Sequence, residues 1–500
     1  RSLRRFINSN FTEFHKQFDD VSSSLSPKVS RANLHGADSD DDGDASASAS
    51  ASGTNQSATP SQSATPFLNM LSSLRDDNTT SPGRNHFKEA FVSEVAELKA
   101  AGANKNWVFD ALGLHERTGR RALLAVAEVV VIPNCADLGT REKTLRRFLT
   151  EVHRRYEESS APFHNEAHAT VVCHSTHWLA EQGKAWHGMS PSLRIATDIA
   201  ALAHDVGHFG RNNAFCSNVS HELALIYNDR SILENMHAAT CFQLMKVRGC
   251  NILADSSREN RRQFREHVVG LILATDMTSH FEFLGKIRVR AAHEEFNPQE
   301  HAEDRRLVTH CCLKAADLGH AALPWEMHEG WAHRLLTEFY EQGDEERSMG
   351  LPVSPMCERS GSVTEFCESQ KGFLQFVILP LYKELAALTS QEVGETCITR
   401  LEVNAEEWVK RPPSSELTAI IQGSPTLPRS TMHNLEAPFS PLPRMPLRIR
   451  KRELPSRQAA PPTLLPAPGG PSGGSSPGSP NRRPQFSAAP TIMCMEPPVD

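Results

Sequence analysis

The chain has 500 residues, 39% hydrophobic and 23% charged, and its 53 Lys and Arg against 60 Asp and Glu leave a formal charge of −7. A balance this close to neutral, with no basic stripe interleaved with aromatics, gives no ground for expecting nucleic-acid binding. No run of about 18 apolar residues occurs, so no segment reads as a membrane-spanning helix, and no signal peptide is read.

Residues 1–18 place Leu3, Phe6, Ile7, Phe11, Phe14 and Phe18 near helical spacing beside Arg1, Arg4 and Arg5. The pattern predicts a basic amphipathic helix, with docking on the main domain or in a homodimer favoured over a membrane surface or partner groove. Residues 35–66 are low in complexity, with an acidic run from Asp38 to Asp44, alternating Ala-Ser and a repeated Ser-Ala-Thr-Pro. A solvated, disordered linker is expected there, because the acidic run lacks the later glutamate of a calcium loop.

From about 85 to 412 the hydrophobic period is helical almost throughout. Leu193–Leu202 is apolar on several faces, as a buried helix should be, and Asp198 within it needs a partner. Val129-Val130-Val131-Ile132 is open between a short strand and a buried helix end. Loops are marked at 188–191 and 351–355. Nothing alternates with period two over several segments, so an all-α fold is expected. Beyond Pro412 proline and glycine take over, and a disordered tail is expected. Within it, Arg448-Ile449-Arg450-Lys451-Arg452 is a solvated charge run, a nuclear signal or an anionic-lipid patch, and Pro443–Pro446 fits a weak PxxP pattern. The expected organisation is a segment 1–84, a catalytic domain 85–412 and a tail 413–500. The 11 cysteines are scattered without a CxxC pair, which suits reduced thiols.

The chemistry is concentrated in His164-Asn165-Glu166-Ala167-His168 and His204-Asp205-Val206-Gly207-His208. Both are read as helical, where histidines four apart share a face. An adjacent His-Asp pair is a mixed ligand set for zinc, with a carboxylate able to bridge to a harder cation. Asp317, in an apolar setting, adds to them. Phosphate-ester hydrolysis needs an activated water, neutralised phosphoryl oxygens and a proton for the leaving oxygen. Two metals about 3.5–4 Å apart supply the first two, and a histidine can supply the third.

The ordered segments Phe163-His164-Asn165-x-x-His168-Ala169 and His204-Asp205-x-x-His208-x-Gly210-x-x-Asn213-x-Phe215 resemble the signature of the class I 3′,5′-cyclic nucleotide phosphodiesterases. So do Glu222–Asp229, Ser231–His237, Ala274–Met277, Ala316–Leu318, Gln342–Asp344, Ser354–Cys357 and Ser369–Phe373. The resemblance spans about 90–410 and implies a compact, all-α, multi-helix HD-type catalytic domain that converts a cyclic nucleotide to the 5′-monophosphate. It implies two divalent ions, zinc held by His168, His204, Asp205 and Asp317, and magnesium or manganese bridged by Asp205. His208, Glu234 and Thr275 would hold the second ion's waters, and His237 would stand behind the metals or on the phosphate side. A bridging hydroxide would attack phosphorus, and His164 would protonate the departing O3′.

Gln370 and Phe373 share a helical face. Resemblance gives Phe373 purine stacking, Gln370 the reading of the purine edge and Leu335 the opposite wall, with Met277 and His320 also at the pocket. His174 and His177 are expected off the site. Four departures from common family residues are Phe163, Gly207, Lys314 and His320, and the last leaves the choice between cyclic AMP and cyclic GMP open. The competing readings are another HD-type nucleotide phosphohydrolase and an inactive signalling scaffold. The expected location is the cytoplasmic side, soluble or membrane-associated.

Overall fold

The structure, a computed structural model, describes residues 82–423 except 103–104, 184–185 and 360. The expected N-terminal amphipathic helix, the acidic linker, the PxxP pattern and the basic run at 448–452 lie outside the described residues. All described residues fall within one unit spanning 1–438, and among them there is no strand.

The helices in chain order are α1 (Pro82–Ala101), α2 (Ala111–Arg117), α3 (Ala122–Val130), α4 (Glu142–Glu157), α5 (Glu166–Gln182) and α6 (Pro191–Ala203). Next come α7 (Asn213–Asn218), α8 (Glu222–Tyr227), α9 (Ile232–Leu244), α10 (Arg258–Leu273), α11 (His280–Ala291) and α12 (Ala302–Asp317). The last are α13 (Trp325–Ser348), α14 (Val363–Phe373), α15 (Leu379–Leu388), α16 (Thr399–Lys410) and α17 (Ser415–Ile421). The final helix lies beyond the 412 boundary expected from composition, and it buries Leu417, Ile420 and Ile421.

Helix α5 forms the axis of the fold. Asn165 caps it, its side chain accepting from Ala167 N–H, and every residue from Glu166 to Ala180 is buried. Such a helix has no solvated face because α3, α6 and α12 pack around it. Small and branched residues permit that approach, and Val172, Cys173 and Leu179 are wholly enclosed. Each large apolar side chain so enclosed contributes about 1.5–3 kcal/mol.

Helix α6 starts with Pro191 in its first turn behind Ser190, a position where the missing proline N–H breaks no bond. Its buried Asp198 finds the partner it needs in His177 of α5, at 3.1 Å. At 129–132 the helical alternative holds. α3 runs to Val130, and a 3₁₀ turn from Ile132 to Leu138 takes Pro133 in its first turn. The Ala/Leu run before it propagates the helix, and Pro133 stops it only after the buried valines.

Candidate metal centre

Three helix ends converge on one point. His168 lies in the first turn of α5, Asp317 is the last residue of α12, and His204 caps the C-terminus of α6 with Asp205 following it. The sequence reading of both histidine motifs as helical is corrected here. His164 precedes α5, because Asn165 is the cap, and 204–208 forms a turn in which Gly207 adopts φ +84°. That backbone region favours glycine.

His204 Nδ1–H donates to the Ala201 carbonyl at 2.8 Å, which fixes the ring and turns Nε2 inward. His204 Nε2 lies 3.1 Å from Asp205 Oδ2 and 3.3 Å from Asp317 Oδ1. His168 Nε2 lies 3.0 Å from Asp317 Oδ1 and 3.4 Å from Asp205 Oδ2. The two imidazole nitrogens face each other at 3.3 Å. One ligand atom from each of the four residues lies within 4.8 Å of all the others. Asp205 Oδ2 is buried without a hydrogen-bond partner. Two ring nitrogens and two carboxylate oxygens on a common centre are an N₂O₂ donor set, and they fit a divalent cation such as zinc.

Beside this cluster stands His164. Its Nδ1 meets Glu338 Oε1, and Glu338 Oε2 accepts the backbone N–H groups of Phe163 at 2.9 Å and His164 at 3.1 Å. Burial pulls the His164 pKa down, but the Glu338 carboxylate outweighs it and raises the value to about 9. Burial works against ionised Glu338, yet His164 brings its pKa to about 2. His208 stacks on His164 with centroids 4.1 Å apart. Burial, then the His164 charge, push the His208 pKa down to about 3. Neutral His208 accepts from Gly210 N–H at Nδ1, 2.9 Å away, so its proton is on Nε2.

Glu338 was missed by the sequence reading. Its signal was an acidic residue on the same helical face as Trp331 and Leu335, seven and three residues earlier, where a core-facing carboxylate needs a partner.

Glu166, the carboxylate of the first motif, points away from the cluster. It meets His115 Nδ1 and accepts N–H bonds from Ala122 at 3.3 Å and Leu123 at 2.8 Å, at the N-terminus of α3. His153 Nδ1 lies 3.7 Å away. Burial opposes its charge, but the two imidazoles hold its pKa at about 2.

The other residues expected around the metals have these partners. His237 Nδ1–H donates to the Val206 carbonyl at 3.0 Å, and its Nε2 faces Asp205 Oδ1 at 3.6 Å. Glu234 accepts from Asn213 Nδ2 at 3.0 Å. Burial, followed by the charge of Asp276, raises its pKa to about 7. Thr275 is buried and its hydroxyl donates to the Ile272 carbonyl at 2.7 Å.

Gln370 and Phe373 are half-buried on one face of α14, while Leu335 is half-buried on α13 and Met277 opens a 3₁₀ turn at 277–279. Leu335 and Phe373 pack against the core. His320 is buried against Phe163 and Trp331, with centroids at 5.6 and 6.4 Å. Its Nδ1 lies 3.3 Å from His328 Nδ1, whose ring accepts from Trp408 Nε1–H at 2.9 Å. His174 stacks on Phe109 at 4.2 Å and His177 pairs with Asp198, so neither joins the cluster.

An all-helical domain whose helix ends present an N₂O₂ cluster beside an imidazole–carboxylate pair has a donor set that could hold a metal ion. The sequence pattern of the 3′,5′-cyclic nucleotide phosphodiesterase family matches residues 163–399. The chain is 31% identical to the phosphodiesterase domain of Salpingoeca rosetta rhodopsin phosphodiesterase. That likeness has a TM-score of 0.56 and covers 63% of this chain and 93% of that one. It is 37% identical over 262 residues to the dual 3′,5′-cyclic-AMP and -GMP phosphodiesterase beta of Plasmodium falciparum, covering 52% of this chain and 23% of that protein. It is 33% identical over 322 residues to 3′,5′-cyclic-AMP phosphodiesterase 4C of Rattus norvegicus, covering 63% and 59%. The chain belongs to the 3′,5′-cyclic nucleotide phosphodiesterase family. It spans less than two thirds of the length of these two curated relatives.

Proposed function

We propose that this chain hydrolyses a purine nucleoside 3′,5′-cyclic monophosphate to the 5′-monophosphate, with His168, His204, Asp205 and Asp317 as the protein ligands of its cation centre. The observation that carries the reading is His164, held by the Glu338 carboxylate, beside the cluster of His168, His204, Asp205 and Asp317. A divalent cation bound at the cluster supplies Lewis-acid polarisation of the phosphoryl oxygens and a water of lowered pKa. Zinc would suit the four protein ligands, and magnesium or manganese would suit a second position that Asp205 would help to hold.

The chain's own groups perform the remaining tasks. His164 is protonated at neutral pH, with Nδ1 engaged by Glu338, so its Nε2–H is the donor for the departing O3′. This is general acid catalysis in the required protonation state. His208, neutral and stacked on His164, keeps an Nε2–H at the same edge. His208, Glu234, His237 and Thr275 would orient the water around the second cation. With Nδ1 donating, neutral His237 presents a lone pair to Asp205 Oδ1, and two acceptors at that separation suit a donor shared between them.

Phe373 and Leu335 would clamp the purine, Gln370 would bond its edge, and Met277 and His320 would complete the pocket. An amide can present either donor or acceptor, which suits adenine and guanine alike. The test is parallel assay of cyclic AMP and cyclic GMP with purified protein and Mg²⁺. Release of 5′-AMP or 5′-GMP is expected, and folded, metal-loaded protein that turns over neither would overturn the proposal.

A further inference from the structure

One turn before Asp317 on α12 stands Lys314, a side chain with no exposed surface. Its Nζ donates to the carbonyls of Ala274 at 3.1 Å, Asp276 at 3.0 Å and Thr275 at 3.5 Å. Three consecutive carbonyls at the C-terminus of α10 thus wrap one ammonium, where the helix dipole favours a cation. Burial lowers the Lys314 pKa to about 8, while the neighbouring carboxylates of Asp317, Asp276 and Glu234 act to raise it.

The linkage continues through Asp276. Its Oδ1 accepts Thr278 N–H at 2.8 Å, and its Oδ2 accepts the Ser231 hydroxyl at 2.7 Å. Ser231 caps α9 in the left-handed region, φ +43°. Glu234 stands in the first turn of α9, and Asn213 joins both Glu234 and Leu233 N–H, the latter at 2.9 Å. One chain of contacts therefore runs from the helix that carries Asp317, through 274–276, to the turn that carries Glu234.

We propose that Lys314 is a positioning residue of the cation centre. It sets Thr275 directly, and Glu234 through Asp276 and Ser231, at a fixed distance from Asp317. The inference rests on the reading that the cluster holds divalent cations, and goes beyond it by assigning an organising role to a group that touches no cation. A purely structural lysine would lose stability on substitution and leave cation affinity alone. A positioning lysine would change the affinity itself, because supporting contacts around metal ligands alter it about 10–100-fold.

The test is titration of metal-depleted protein with Mn²⁺, following free Mn²⁺ by electron paramagnetic resonance. Lys314→Met keeps the apolar stem and removes the donors, while Ser231→Ala cuts the linkage at a half-buried hydroxyl. Lys314→Met should weaken at least one Mn²⁺ site by about 10-fold or more, and Ser231→Ala should weaken the same site less. Wild-type affinity in both variants overturns the proposal, including when Lys314→Met melts earlier. If Lys314→Met does not fold, Ser231→Ala decides: weakened binding supports the linkage and unchanged binding overturns it. If wild-type protein binds no Mn²⁺, the cation reading itself fails and takes this inference with it.

Discussion

Glu338 Oε2 accepts two successive backbone N–H groups, Phe163 and His164, while Oε1 holds the His164 ring. One carboxylate on α13 thus fixes both the backbone and the protonation state of the residue before α5. Removing its charge should disable His164 as the proposed acid without touching the four residues proposed to hold the cation. Glu338→Gln should lower kcat by about 10²-fold, the lower end of a general acid's contribution. Cation content by elemental analysis should be unchanged, and wild-type kcat would refute the coupling.

The pH dependence follows from the same pair. His164 is raised from its ordinary 6.5 to about 9, so activity that needs the imidazolium should fall as pH climbs through about 9. In Glu338→Gln the fall should move toward lower pH, since only the smaller effects of the Asp205 and Asp317 charges then oppose burial. For stability, the raised His164 pKa gives a contribution complete below 6.5 and lost as pH rises through about 9. Glu338, lowered from 4.5 to about 2, contributes fully above 4.5 and loses this as pH falls through about 2. A kcat/KM profile of the two proteins checks the catalytic half, and coincident descending limbs would remove the assignment.

His164→Ala should reduce turnover by about 10²–10⁴-fold and leave cation content intact. Asp317→Ala should do the opposite in kind, losing bound zinc as well as activity. Elemental analysis of both variants separates the roles. Zinc retained by Asp317→Ala at wild-type stoichiometry would exclude it as a ligand.

Phe373→Ala should raise KM for either cyclic nucleotide far more than it lowers kcat. Stacking of a base on an aromatic ring is worth about 1–3 kcal/mol, or roughly 5- to 150-fold. Equal loss in kcat with unchanged KM would place the purine elsewhere.

His177→Ala should destabilise the fold by about 3–5 kcal/mol, since it leaves Asp198 buried without its partner. Chemical denaturation measures that loss. Metal content should stay at the wild-type level in the fraction that remains folded.

The resemblance named the four residues that the fold brings together, His168, His204, Asp205 and Asp317, while the helical reading of the two histidine motifs was wrong about the local geometry. His164 and His168 do not share a helical face, since Asn165 caps the helix between them and His164 approaches from the preceding turn. Periodicity sees identity at intervals; it does not see which residue ends a helix. Glu338 escaped because its partner lies 174 residues away, and no local pattern announces such a contact. The helices themselves were plain from the 3.6-residue period. Helix α17 was hidden by the prolines at 412–413, which signal an interruption in the chain and say nothing of a short helix after it.

The attachment of Glu166 has a mechanical consequence. A rod clamped near one end moves most at the other. α5 has 17 residues and is about 25 Å long, and Glu166 bolts its first residue to α3 and to His115. A tilt of about 5° about that bolt would carry the far end through about 2 Å. At His168, about 3 Å along the axis, it would amount to about 0.3 Å. For any such tilt the displacement is largest at Gln182, away from the cluster, and far smaller at His168, two residues from the pivot.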